Sequence, residues 1–450
     1  MQRGAAVPFA RLSLIVVLAL GLCIALNVAA EPQIPQRTQS TLTAANVLTV
    51  VDAQTHRPIA AATVTLGARA WQTDAQGRFS VPAGAARVGV RAPGYRRQTI
   101  ASVDALLAGG APGRRSIALQ PFVSKGLYLT VYGIGSRTLR DGALQAIEHS
   151  HLNTIVIDMK GDSGLVPYPS AVPAVRAVGA LKVRTVKDLP ALLVDLKARG
   201  PYTIARLVVF KDTLYAGAHP QWAIRTAGGA VWKDRESMAW IDPTQADAWQ
   251  YTLDIAAEVA AAGFDEIQFD YIRFPDTVGL RFARPLNQAV RVAAIGGFLR
   301  AARARLVPYN VFISADVFGY ACWNNNDTTI GQHLESLAPL VDYLSPMLYP
   351  SSFQFGIPGV RQPFADPHAI VARSLQRAAQ RTAATSVRYR PWLQDFRDYA
   401  FDGRVMTREL LQAQIRAAEG NSASVGWMLW NPRNRYSADA IHAEDPSSGP

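Results

Sequence analysis

Four aspartates close β-patterned segments that lie far apart in the chain: Asp158, Asp270, Asp316 and Asp395. In Phe264–Pro275, F-D-E-I-Q-F-D-Y-I-R-F-P, alternation along a strand sets Ile267 and Phe269 on one face and Gln268 and Asp270 on the other. A carboxylate on the inner face of an apolar strand is costly unless it is paired, solvated or used. The segment I-V-I-D-M-K places Asp158 and Lys160 opposite Ile155 and Ile157, and V-F-I-S-A-D-V-F-G places Ser314 and Asp316 together. Gln394 and Asp395 are adjacent, so one of them should face outward. Carboxylates converging from separate strands are what hydrolysis of a glycosidic bond requires. One, with a raised pKa, protonates the leaving oxygen; another stays ionised to attack the anomeric carbon or activate water. Asp270 is the expected nucleophile or base and Asp316 the general acid, with Asp395 or Asp158 tuning their charge. Lys160, Arg206, Lys211, Trp232, Gln268, Arg273, Tyr349, Gln394, Trp430 and Asn431 are the candidates for holding sugar. The acids have structural readings too: Asp158 pairing with Lys160, Arg206 or Lys211, Asp270 with Arg273, and Asp316 and Asp395 in buried networks.

The elements that must position these residues recur in a fixed rhythm. From Lys125 the pattern is strand then helix, with strands expected at Gly126–Tyr132, Thr154–Lys160, Tyr202–Phe210, Glu266–Phe274, Val311–Phe318, Tyr343–Tyr349, Arg388–Phe396 and Val425–Asn431. Eight such units predict a parallel sheet closed into a (β/α)8 TIM-type barrel, whose active sites lie at the carboxyl ends of the strands. Thr185 with Asp188, Asp242-Pro243 and Asp366-Pro367 read as helix starts, and Gly263 as a helix end. The loop Lys211–Trp240 holds Trp222, Trp232 and Trp240, which either stack on sugar faces or pin the loop down.

Upstream the texture differs. Short alternating strands at Val47–Val51, Ala62–Leu66, Gly77–Val81, Arg87–Arg91 and Ser116–Leu119, broken by Gly77, Gly84 and Pro93-Gly94, predict a small all-β sandwich domain over 46–120. The fold class is therefore α/β, a barrel over 125–440 preceded by that sandwich. Residues 31–45 read as a polar linker, and 1–30 as an export signal: Arg3 and Arg11, then apolar Leu12–Leu26, then Val28-Ala29-Ala30. The expected location is periplasmic or extracellular, with membrane attachment only if that segment stays uncleaved. Once it is removed Cys322 is the one cysteine left, which excludes an intrachain disulfide. A formal charge of +12 favours anionic surroundings, but no nucleic-acid motif accompanies it and nucleic acid is not an expected partner. His149 and His151 fall on the amino side of the second strand, no H-E-x-x-H is present and no Gly-rich dinucleotide fingerprint follows a strand. No metal and no cofactor are expected.

Two resemblances add to this reading. V-x-D-A-Q-T-H-R-P-I-A-A-A-T-V, T-D-A-Q-G-R-F-S-V and A-P-G-Y resemble the carboxypeptidase-regulatory-like domain, with His56 where that family often has Gly; this implies a sandwich without chemistry of its own. K-G-L-Y-L-T, V-I-D-M-K-G-D-S-G, A-R-L-V-V-F-K-D, W-I-D-P, F-D-E-I-Q-F-D-Y-I-R-F-P, S-A-D-V-F-G, S-P-M-L-Y-P, P-W-L-Q-D-F and G-W-M-L-W-N resemble, in order, a bacterial glycoside hydrolase-type barrel family formerly catalogued as a domain of unknown function. That implies a (β/α)8 fold and action on a polysaccharide or oligosaccharide. In a more distant comparison, alpha-amylase-type barrels carry acids where Asp270, Asp316 and Asp395 stand. They have Arg where Gln268 is, and usually Glu where Asp316 is. The expected function is an exported glycoside hydrolase acting on an envelope or extracellular polysaccharide. The alternatives are a non-catalytic carbohydrate-binding or scaffolding barrel and, more remotely, a lyase or deacetylase.

Overall fold

The computed structural model describes residues 46–82, 85, 87–108, 115–436 and 441. The export segment and linker read from the sequence lie outside them.

Seven short strands build the amino-terminal part: β1 (Val47–Asp52), β2 (Thr63–Leu66), β3 (Arg69–Gln72), β4 (Arg78–Ser80), β5 (Val88–Arg91), β6 (Gln98–Ile100) and β7 (Ser116–Leu119). They form two sheets, β4-β1-β7 and β3-β2-β5-β6. Leu48, Val50, Val64, Phe79, Val88, Val90, Ile117 and Leu119 fill the space between them. The sequence reading had no β3 or β6. Both are edge strands, and both present polar residues (Arg69, Gln72, Gln98, Thr99) to solvent, so neither carries an apolar alternation.

The barrel follows, with β8 (Ser124–Leu129), β9 (Thr154–Lys160), β10 (Tyr202–Val208), β11 (Glu266–Asp270), β12 (Phe312–Phe318), β13 (Tyr343–Met347), β14 (Arg388–Tyr389), β15 (Trp392–Gln394) and β16 (Gly426–Trp430). Every pairing around it is parallel, and β16 returns to β8, so the sheet closes as expected. β14 and β15 share the seventh position. Pro391 has no N–H to give the ladder and interrupts what the sequence reads as one strand. The fourth strand is shorter than expected because Tyr271 takes φ +47°, which turns the chain out of the sheet directly after Asp270.

Closure depends on one glycine. Gly426 sits at φ +115°, and a Cβ there would lie 1.7 Å from the Ser124 carbonyl oxygen. Gly426→Ala is expected to destabilise the protein by on the order of 3 kcal/mol, read as a lowered denaturation midpoint. An unchanged midpoint would mean the seam between β8 and β16 is not tightly constrained.

Helices cover the outer face, and their starts follow local rules. The Asp188 carboxylate caps Leu189–Arg199 by accepting from the Ala191 N–H, and Asp366 caps Pro367–Arg381 through the Ala369 N–H. Asp242-Pro243 does not start a helix: Ala246–Ala262 begins three residues on, and the Asp242 carboxylate ties the Thr244 and Ala283 N–H groups instead. The sandwich docks on the amino-terminal end of the barrel. Arg97 bonds Asp265 and the carbonyls of Gly263, Phe264 and Tyr309, Arg91 meets Asn310 and Asp342, and the Gly94 N–H reaches the Tyr343 hydroxyl. That leaves the carboxyl ends of the strands open.

Candidate active site

Period-two alternation decides which residues enter the barrel. Tyr128, Val156, Tyr202, Ile204, Phe312, Tyr343, Trp392 and Met428 pack together inside it. At its amino-terminal end the buried Glu266 accepts from Tyr202, Ser314 and Arg390. Gln268 lies above, fully buried, with its amide nitrogen 3.3 Å from the Ser345 hydroxyl. Gln268 is thus enclosed in the barrel interior and does not reach the opening.

Over this packed floor lies an open cleft of about 1380 Å³ at the carboxyl ends of the strands. Arg206, from β10, organises its base. Its Nη1 is 2.5 Å from Asp158 Oδ1, its Nε and Nη2 are 3.0 and 2.5 Å from Asp270 Oδ2, and its Nε is 3.9 Å from Asp316 Oδ2. Burial alone would lower the pKa of this guanidinium, but Asp158 and Asp270 hold it well above its ordinary value. The Tyr128 hydroxyl donates to Asp158 Oδ2 at 2.5 Å, and the Tyr271 N–H to Asp270 Oδ1 at 2.5 Å. Tyr128 and Trp430 stack with centroids 4.0 Å apart, and the Arg206 guanidinium lies 4.9 Å from the Trp430 ring.

The acids differ in access. Asp158, Asp270 and Asp395 line the cleft. Asp316 is fully buried beneath it, with Oδ1 accepting from the Trp392 indole N–H at 2.9 Å. Burial, and then the charge of Asp270, push the pKa of the Asp316 carboxyl well above the usual range, against the opposing pull of Arg206. Burial also raises Asp158, to about 6, against the opposing pull of Arg206 and Tyr128.

The other expected site residues divide. Arg206, Arg273, Tyr349, Trp430 and Asn431 line the cleft. Arg273 lies over the rings of Phe318, Trp240 and Tyr271. Lys160, Lys211, Trp232 and Gln394 are not among the lining residues. The register of β9 against β10 shifts between Arg206 and Leu207, so Lys160 pairs opposite Leu207, whose side chain packs outside the barrel. Lys160 is buried with Asp212 at 2.8 Å and the Tyr251 ring at 5.7 Å. Lys211 is buried under the loop that follows β10, bridging Asp162, Asp234 and Glu236. Trp232 packs on Trp240, and Trp222 on Tyr215 and His219, so these tryptophans pin the loop. Gln394 is buried against Ser351, while Asp395 beside it reaches the cleft, which settles their opposite parity.

Tyr128, Tyr271 and Trp392 escaped the sequence reading, although Tyr128 shares the inward parity of Gly126 in K-G-L-Y-L. Phe355, Phe396 and Tyr399 line the cleft from loops, where no periodicity marks them. Among the described residues no group of three or more His, Cys, Asp or Glu side chains is arranged to hold a metal ion, and no helix is long and apolar enough to cross a membrane.

Residues 126–436 match the family described as "Putative glycosyl hydrolase domain", and residues 47–120 match the carboxypeptidase regulatory-like domain. Among solved structures, a hypothetical protein from Ruminiclostridium thermocellum is 35% identical, over 42% of this chain and 97% of that one, with a TM-score of 0.38. The glycoside hydrolase domain of PgaB (BpsB) from Bordetella bronchiseptica is 13% identical over 72% of this chain and 100% of its own, at a TM-score of 0.48. That of PelA from Pseudomonas aeruginosa is 14% identical over 70% and 97%, at 0.41. No curated protein matches the sequence.

Proposed function

The chain belongs to this glycosyl hydrolase domain family, and from that membership we propose that it hydrolyses glycosidic bonds in an envelope or extracellular polysaccharide by a two-carboxylate mechanism. The observation that carries the reading is the pair Asp158 and Asp270, which share one cleft and one guanidinium. Asp158, with a pKa of about 6, gives its proton to the leaving oxygen. Asp270, held by Arg206 and the Tyr271 N–H, attacks the anomeric carbon or takes a proton from the attacking water. Asp316, expected to be the acid, is too deeply buried to meet a sugar, and in this proposal it sets the charge around Arg206 instead. Tyr349 and Trp430 orient the ring. The signal-like residues 1–30 support export to the periplasm or outside the cell as part of this proposal, with membrane attachment if that segment is retained.

The test is release of reducing sugar from a panel of polysaccharides by the purified protein. No product from any of them would leave the second reading, a barrel that binds glycan without cutting it. One observation favours that reading: a single arginine engages both Asp158 and Asp270.

The pH dependence has a definite sign. The acid works only when protonated, so kcat/KM is expected to fall about tenfold per unit as the pH rises past about 6. Activity that holds level from pH 6 to 8 would remove Asp158 from the role.

A further inference from the structure

The cleft is larger than the ~300–1,000 Å³ of a pocket for one small ligand, at about 1380 Å³. Among the described residues eight large hydrophobic side chains are exposed, and four of them, Tyr132, Phe355, Tyr399 and Val405, edge this cleft. Phe355 is 93% exposed and Tyr399 62%. Apolar side chains left in water and gathered at one opening mark a binding surface.

These rings form a track. Tyr349, beside the carboxylates, meets Phe396 with centroids 5.4 Å apart, and Phe396 stacks on Tyr399 at 6.0 Å with planes 9° apart. A second arm runs from Phe353 to Tyr320 at 4.9 Å, and on to Phe355 at 6.4 Å. Both outer rings are held in place before any ligand arrives. The Asp398 carboxylate accepts from Ser351 and from the N–H groups of Ala400, Phe401, Asp402 and Gly403, which fixes the loop carrying Tyr399. The Tyr320 hydroxyl accepts from the Phe355 N–H and donates to the Gly356 carbonyl. Ordered rings bind with little further loss of conformational freedom.

Charge narrows the occupant. Five arginines and six acidic side chains line the cleft, whereas the whole chain carries +12. The basic surplus lies elsewhere, and with acids outnumbering arginines the cleft has no positive excess to draw in an acidic chain.

We propose that the cleft seats an interior stretch of an uncharged, linear polysaccharide several sugar rings long, with the Phe396–Tyr399 and Tyr320–Phe355 arms holding rings beyond the carboxylates. The apolar C–H faces of the sugars stack on these aromatics, and bonds inside the chain are presented to Asp158 and Asp270. This rests on the glycosidase reading for the cut, but not for the binding.

The test uses the full chain in native gels containing mixed-linkage β-glucan, galactomannan, hydroxyethyl cellulose or polygalacturonate. At least one uncharged polymer should retard the protein. The Phe355→Ala/Tyr399→Ala double variant should bind that polymer at least tenfold more weakly, and Val278→Ser, an exposed residue outside the cleft, should bind as the unaltered protein does. Retardation by polygalacturonate alone, by no uncharged polymer, or equally in the double variant would overturn the proposal. Digestion of the retained polymer separates the two claims. A viscosity drop ahead of reducing-end release supports internal cutting, and release of single sugars from the ends overturns it. Retardation with no digestion leaves the track standing and removes the glycosidase reading.

Discussion

Replacing Asp270 with asparagine is expected to lower kcat by about 10²- to 10⁴-fold, the span over which positioned acid–base groups act, while the protein stays folded. Both oxygens of this carboxylate are engaged, Oδ2 by Arg206 and Oδ1 by the Tyr271 N–H. The amide keeps one acceptor for Arg206 but turns its NH2 toward a backbone donor, at a stability cost of about 1–3 kcal/mol. The two consequences separate cleanly: turnover is lost because an amide neither attacks the anomeric carbon nor takes a proton from water, and circular dichroism and the denaturation midpoint report the smaller structural cost. Full activity of the variant on a polysaccharide that the unaltered protein cuts would reject Asp270 as nucleophile or base.

Arg206→Met is expected to cost about 3–5 kcal/mol of stability near neutral pH, the penalty for stripping the partner from a buried charge. The methionine nearly matches the chain length but leaves Asp158, Asp270 and Asp316 together in a buried site without their shared cation. The sign of the pH dependence follows from that. In the folded protein Asp158, at about 6, and Asp316 already lie above the unfolded value of about 3.9, and Arg206 pulls both down, so without the guanidinium both rise further. Above about pH 6 the folded variant then holds protons that the unaltered folded protein has released, so its stability falls more steeply as pH rises through that window. The deficit relative to the unaltered protein should therefore be larger at pH 8 than at pH 5, read by urea unfolding at both. Equal deficits would mean that Arg206 acts by packing against Trp430 and Tyr128 and not by charge.

The asymmetry between these acids also underlies the exchange of roles proposed for Asp316 and Asp158. Strand parity brings both inside the barrel, and parity cannot tell how high in the barrel each sits. Asp316 meets the Trp392 indole within the packed floor, while Asp158 reaches the cleft with a tyrosine on one oxygen and an arginine on the other. The proposed consequence is chemical: a carboxyl sealed in the floor can act only on its neighbours, and one that lines the cleft with a pKa of about 6 can exchange a proton with a bound sugar.

Local rules written in the chain were enough for the eight-strand barrel, the sandwich before it, the inward face of Gln268 and Asp270, and the helix start at Asp366, whereas the start expected from Thr185 falls three residues later, with Asp188 as the cap and the Thr185 hydroxyl bonded to the Val131 carbonyl. Alternation, capping and turn chemistry act over a few residues, so a reader of sequence meets them directly. Tertiary structure alone decided the rest. The shift between Arg206 and Leu207 turned Lys160 out of the barrel, and Lys211 was claimed by three acids from the surrounding loops. Phe355 and Tyr399 became an edge of the cleft only because backbone N–H bonds to the Tyr320 hydroxyl and to the Asp398 carboxylate fix their loops there. Burial, pairing and loop placement depend on partners distant in the chain, and no periodicity records them.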